Sequence, residues 1–251
     1  MVIWIAFLPL WSPPVFAGHA NDSCAITAQQ IALGEPNTPT GRIGNCATML
    51  VVDPSPPVTT NIVRSIYIWS TQSNLVEFGW KWKVDPALLG PGETTDTAPT
   101  VFAVKVVNGS YYVSEGAGSS NPGWGTLPTG VDRRFRIERD ASNSSRFHFY
   151  RTNASGTWLY AGFYDNANIG TSGKVFAGDE AKALCDSMRA HYYNLDRKTS
   201  SGWAPWADDV KASAFPDASK WWYWAPAAGP GVVDSWILHC GTAYCDDITG
   251  A

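Results

Sequence analysis

The stretch NLVEFGWKWKV, residues 74–84, alternates with a period of two along nearly its whole length. Val76, Phe78, Trp80, Trp82 and Val84 share one face; Leu75, Glu77, Gly79, Lys81 and Lys83 share the other. Successive side chains of a strand point to opposite sides, whereas helical neighbours recur at three and four residues. This is therefore an amphipathic β-strand, and its aromatic and branched face is the core face. Glu77 points away from that core, and Gly79, two residues on, is expected to leave open space beside it.

Upstream, IVRSIYIWS (62–70) places Ile62, Ile66 and Ile68 on one face and Tyr67 and Trp69 on the other. Downstream, VFAVKVV (101–107) and YYVSE (111–115) flank Asn108-Gly109, a hairpin turn signal. FRIERD (135–140) and RFHFYR (146–151) pair across a polar turn, followed by TWLYAGFY (157–164) and KVFAGDE (174–180). In 179–195, Asp179 could cap a short helix, but SMRAHYYNL alternates and is read as a strand. Short alternating strands separated by Gly, Asn and Ser turns define an all-β chain. The expected architecture is an antiparallel β-sandwich or jelly roll of the concanavalin-like sort, with few or no helices.

Residues 1–20 carry no Lys, Arg, Asp or Glu, and their apolar run is followed by Ala17, Gly18 and Ala20. They read as a secretory signal peptide. An apolar run of about ten residues falls short of the ~20 that a membrane span needs. The expectation is a secreted, extracellular protein with no membrane association after cleavage. Residues 21–60 read as an N-terminal arm, and 61–251 as one sandwich domain with a Trp-rich C-terminal segment. Export permits disulfides. Cys24–Cys46 is the expected loop-closing pair; Cys240 could pair with Cys245, or one of them with Cys185.

The net charge of −4 and a charged content of 16% exclude the clustered basic surface that nucleic acid requires. His148, His191 and His239 are far apart and in no metal-ligand spacing, so neither a metal nor another cofactor is expected. No Ser-centred elbow, phosphate loop or dinucleotide fingerprint is present. Carboxylate acid–base chemistry is the economical enzymatic reading, against the plain alternative that Glu77 and Lys81 are solvent-face charges. The candidate partners for Glu77 are Glu115, Glu138, Asp179 and Glu180. Glu138 lies among Arg133, Arg134, Arg136 and Arg139 and reads as an ion-pair residue. Glu180 shares parity with Lys174, Phe176 and Gly178 and would face Glu77 if its strand neighbours 75–84.

The order SNLVEFGWKWKVDP (73–86), VFAV (101–104), SGTWLYAG (155–162) and KVFAGDE (174–180) resembles that of neprosin-like domains over roughly residues 60–190. These are secreted β-sandwich proteins, some of them glutamic peptidases with two glutamates. The resemblance implies that Glu77, ahead of Gly79-Trp80, and Glu180, after Gly178, are the catalytic pair. The chain departs from the pattern in having Asp179 where a second Gly would stand, and in lacking any Cys between 46 and 185. Two functions follow as expectations: an acid-active glutamic endopeptidase acting on peptide bonds, or a non-catalytic module binding glycan or protein. The second would use the Trp cluster at 203–224, since aromatic rings stack on sugars and apolar peptides. A peptide or a polysaccharide is the expected substrate class.

Overall fold

The computed structural model describes residues 29–34, 39–51, 61–71, 73–83, 89, 92–115, 120–181, 187–206, 211–215, 221–224 and 234–240. Within these, residues 29–34, 61, 179–181, 187–191 and all from 211 onward are described by their backbone alone. Every regular element among the described residues is a strand. In chain order these are β1 (Gln29–Gly34), β2 (Gly44–Val51), β3 (Asn61–Thr71), β4 (Asn74–Lys83), β5 (Thr100–Val107), β6 (Ser110–Glu115), β7 (Val131–Arg139) and β8 (Phe147–Thr152). They are followed by β9 (Trp158–Tyr164), β10 (Lys174–Ala181), β11 (Ser187–Thr199), β12 (Gly202–Pro205), β13 (Lys211–Phe215), β14 (Trp221–Trp224) and β15 (Asp234–Cys240).

Two antiparallel sheets form the sandwich. One has the order β13-β1-β10-β3-β4-β5-β6; the other runs β14-β15-β11-β2-β7-β8-β9, with β12 on β11. The expected all-β sandwich is thus observed, and the ambiguous 187–195 is strand. The Asn108-Gly109 hairpin has both residues at positive φ, 50° and 81°, as a two-residue turn between right-twisted strands requires.

The inner faces meet in one core. Val76, Phe78 and Trp80 of β4 and Ile62, Ile66 and Ile68 of β3 pack against Met49, Phe135, Ile137 and Phe149 of the second sheet. Phe78 lies at its centre, with ring centroids 5.3 Å from Phe135, 5.2 Å from Phe149 and 6.3 Å from Trp124. Edge and tilted contacts at such distances suit the ring quadrupoles. Among the described residues, Asn45 and Tyr192 are two of the polar side chains that bond across from one sheet to the other. Asn45 Nδ2 donates to the carbonyls of Tyr67 and Phe176 at 2.8 and 2.7 Å, and the Tyr192 hydroxyl donates to the Gly178 carbonyl at 2.6 Å. These bonds fix the backbone of β3 and β10 from below, where the outer face carries its functional candidates.

Residues 44–51, within the stretch 21–60 read as an arm, form a strand paired on both sides, with β7 and β11. One expectation is corrected. The predicted Cys24–Cys46 bridge is not formed: Cys46 is a free thiol, 2% exposed. Its place in a doubly paired strand, beneath Arg134 and Asp196, leaves a distant cysteine no approach. Residues 1–20, read as a signal peptide, and Cys24, Cys185 and Cys245 lie outside the described residues, and of Cys240 only the backbone is described.

Candidate functional site on the outer face of the seven-stranded sheet

Directly paired residues in an antiparallel ladder share a face, so the register arranges the outer face of the first sheet in rows. One row runs Phe176–Tyr67–Glu77–Val104–Val113, the next Ala32–Gly178–Ser65–Gly79–Phe102–Glu115, and the third Gln30–Glu180–Val63–Lys81–Thr100. Four adjacent positions of the middle row, Ala32, Gly178, Ser65 and Gly79, are small. Glu77 lies in the row on one side of them and the Glu180 position in the row on the other.

Glu77 is 9% exposed despite facing away from the core. On the same face Val63, Phe102, Val104 and Val106 form a buried cluster, with Leu75 and Val113 packed against it. Ser65 Oγ donates to Glu77 Oε1 at 2.7 Å. A carboxylate so placed needs such donors, because burying an unsatisfied polar group costs free energy. Sequence reasoning passed over Ser65, although its parity with Tyr67 and Trp69 already put it on this face.

The space beside Gly79 is not open. A Cβ built there would lie 2.0 Å from the Arg64 carbonyl oxygen and 2.8 Å from Ser65 Cβ. The glycine permits close approach of β3 and β4 and so delivers Ser65 to Glu77. Gly79→Ala is expected to destabilise by about 3 kcal/mol or more, the upper range for overpacking, because the colliding atoms are backbone. Denaturant unfolding of the variant measures this.

Lys81 is fully buried and paired with two acids, Asp96 Oδ2 at 2.8 Å and Glu115 Oε1 at 2.9 Å, with the Thr94 carbonyl at 3.1 Å. Asp96 Oδ2 also accepts from the Lys83 amide at 2.9 Å, and Lys83 pairs with Glu93. Burial pushes the Asp96 carboxyl above the usual aspartate range, opposed by the hydrogen bond and charge of Lys81. Glu115 accepts from the Thr94 amide through both oxygens, at 3.2 and 3.1 Å. The cluster ties the segment 93–96 to the sheet and engages Glu115 structurally.

The remaining candidates separate clearly. Glu138 is on the other sheet, paired with Lys198 and 3.7 Å from Arg136, as an ion-pair residue should be. Asp179 alternates with Glu180 and occupies a position of opposite parity, paired with Arg64. The strand containing Glu180 does not neighbour β4, as the sequence reading required; β3 lies between them, because the short β3–β4 connection keeps those two strands together and leaves only the far edge of β3 for β10. Glu180 is therefore two strands and four residues removed from Glu77, an ideal-sheet Cα separation of roughly 17 Å. Of the Glu180 side chain nothing is described. Among the described residues no group of three or more His, Cys, Asp or Glu could hold a metal ion.

The class defined by this architecture is the antiparallel two-sheet β-sandwich, a fold shared with solved proteins of low sequence identity. The structure of scytalido-glutamic peptidase with a transition state analog inhibitor aligns with a TM-score of 0.51 and 11% identity, over 85% of this chain and 98% of that one. The same peptidase with a peptide based transition state analog aligns at 0.48 and 9%, over 85% and 98%. SCP-B, a member of the Eqolisin family of peptidases solved with the tripeptide Ala-Ile-His, aligns at 0.46 and 11%, over 85% and 98%. At these identities the likeness is one of fold. No family model and no curated protein matches the sequence.

Proposed function

We propose that this chain is a secreted, neprosin-like glutamic endopeptidase active at acidic pH, with Glu77 and Glu180 as its catalytic carboxyls. The observation carrying this reading is Glu77 itself: a buried carboxylate on the face of the sheet turned away from the main core, held by Ser65, with the Glu180 position across a row of small residues. The fold shared with a glutamic peptidase supports it.

The register alters the chemistry first expected. Extended glutamate side chains reach ~4 Å each, so positions about 17 Å apart do not share a proton directly. The two carboxyls act instead from opposite sides of a bound peptide. One, ionised, accepts a proton from water as the water oxygen attacks the scissile carbonyl carbon. The other, protonated, donates to the carbonyl oxygen and stabilises the tetrahedral intermediate. On collapse the hydroxyl formed on the carbonyl oxygen returns its proton to the second carboxylate as the C=O re-forms, the C–N bond breaks, and the amine leaves with the proton taken from water. One carboxyl must be charged and the other neutral, so activity is bell-shaped in pH on the acidic side.

The test is cleavage of an acid-denatured protein between pH 3 and 7. Glu77→Gln and Glu180→Gln are each expected to reduce kcat at least 100-fold, within the range that a positioned acid or base contributes, with little change in thermal unfolding. Cleavage undiminished in both variants, or no cleavage by the wild type at any pH, would overturn the reading.

A further inference from the structure

The outer face of the second sheet carries a strip of rings that the proposed peptidase site does not use. Its ladder rows are Trp203–Lys198–Gly44–Glu138–His148–Phe163 and Asp196–Cys46–Arg136–Tyr150–Tyr160, with Trp158 paired to Thr152 beside them. Neighbouring rings are in contact and tilted by 48–57° to one another. His148 lies 5.9 Å from Phe163 and 5.8 Å from Tyr160; Tyr160 lies 5.3 Å from Tyr150. The Arg136 guanidinium then bridges Tyr150 and Trp158 at 4.2 and 4.5 Å. Tyr160 and Phe163 are 42% and 46% exposed, and Trp203, over the opposite end, 37%.

Most charges of this face are paired on the face itself. Arg134 pairs with Asp196, Lys198 and Arg136 with Glu138, and Arg146 with Asp165, while His148 Nε2 and Asp140 Oδ2 lie within hydrogen-bond distance at 2.7 Å. Internal pairing removes the net field that would attract a polyanion or a charged peptide. What remains is a row of partly exposed rings, with Arg146 over one face of Phe163 at 4.3 Å and Arg136 over Tyr150 and Trp158, among hydroxyl, imidazole and carboxylate groups. Apolar ring faces edged with fixed donors and acceptors match a sugar, whose C–H face stacks on a ring while its hydroxyls bond at the edges. Because the rings stand on paired strands, little entropy is lost in ordering them on binding.

We propose that this strip is a binding site for a neutral polysaccharide, separate from the carboxylate site on the opposite sheet. The Trp cluster suggested by the sequence contributes Trp203 at its margin. Trp206 is in the core, and β14 lies at the far end of the same sheet.

The experiment is sedimentation of the full chain with insoluble β-1,3-glucan, cellulose and chitin at 0.05 and 0.5 M NaCl. Retention on at least one of these is expected at both salt concentrations. Tyr160→Ala and Phe163→Ala together should weaken it at least 10-fold, whereas Tyr111→Ala, on the first sheet, should leave it unchanged. The ring variants should also leave proteolysis unchanged, and Glu77→Gln should leave retention unchanged, so the two sites stand or fall separately. No retention on any of the three polymers, retention indifferent to the double variant, or retention lost at 0.5 M salt would each overturn the proposal. So would a concentration-dependent dimer that the double variant converts to monomer, because the strip would then be an interface between copies.

Discussion

Lys81→Met is expected to destabilise the protein by about 3–5 kcal/mol at neutral pH, the cost of leaving buried charge without its partner. Lys81 is fully buried between Asp96 and Glu115, and methionine fills the volume without supplying charge. The loss should depend on pH in a defined direction. Burial already holds the Asp96 carboxyl above its ordinary range, and Lys81 opposes that rise. Without the lysine the folded-state value rises further. An acid whose folded value is raised contributes stability below its unfolded value, near 3.8, and loses it as pH rises through the folded value. The variant should therefore lie closest to wild type near pH 4 and fall away toward pH 7. Lys81→Met with Asp96→Asn should recover part of the neutral-pH loss. Urea unfolding of the three proteins from pH 4 to 7 checks this; a loss independent of pH would place the cost in packing instead.

Cys46 should react with a thiol reagent about 1,000-fold more slowly in the folded protein than in urea at pH 8, because the thiolate is the reactive form. Burial pushes its thiol from 9.0 to about 12, with Arg134 pulling the other way. That rise makes the thiolate about a thousandfold scarcer at pH 8. Restricted access slows the reaction further. The sign for stability follows from the same rise: the contribution is complete below about pH 9 and is lost as the pH climbs from there toward 12. Timed labelling with and without denaturant measures the ratio. A folded-state rate near the denatured one would mean that β2 opens readily, against its double pairing.

Local pattern reached far into this fold. The alternation of 74–84 assigned Val76, Phe78 and Trp80 to the core, where they are fully buried, and Glu77 to the other face. The Asn108-Gly109 turn was legible because only a few residue types accept positive φ at both positions. The Arg-rich strand around Glu138 read as an ion-pair face and is one. These inferences depend on a side chain's direction relative to its own strand, a property of adjacent residues.

Long-range pairing was not legible in the same way. That Glu77 leaves the core side follows from parity; that Ser65 meets it, and that Gly79 is filled rather than open, follows from the register of β3 on β4. That β10 lies beyond β3, and so puts Glu180 diagonally across a row of small residues, follows from strand order. Lys81 shared a strand face with Glu77 in the sequence, yet Asp96, from the loop following the strand, is its closest acid. Cys46 was assigned a partner by nearness along the chain and lies sealed under Arg134 and Asp196. The sequence alone determined which face of each strand is apolar, because that is set by alternation within ten residues. Only the tertiary structure decided which faces, carboxyls and rings lie together, because strand order and register are chosen by the packing of the whole core.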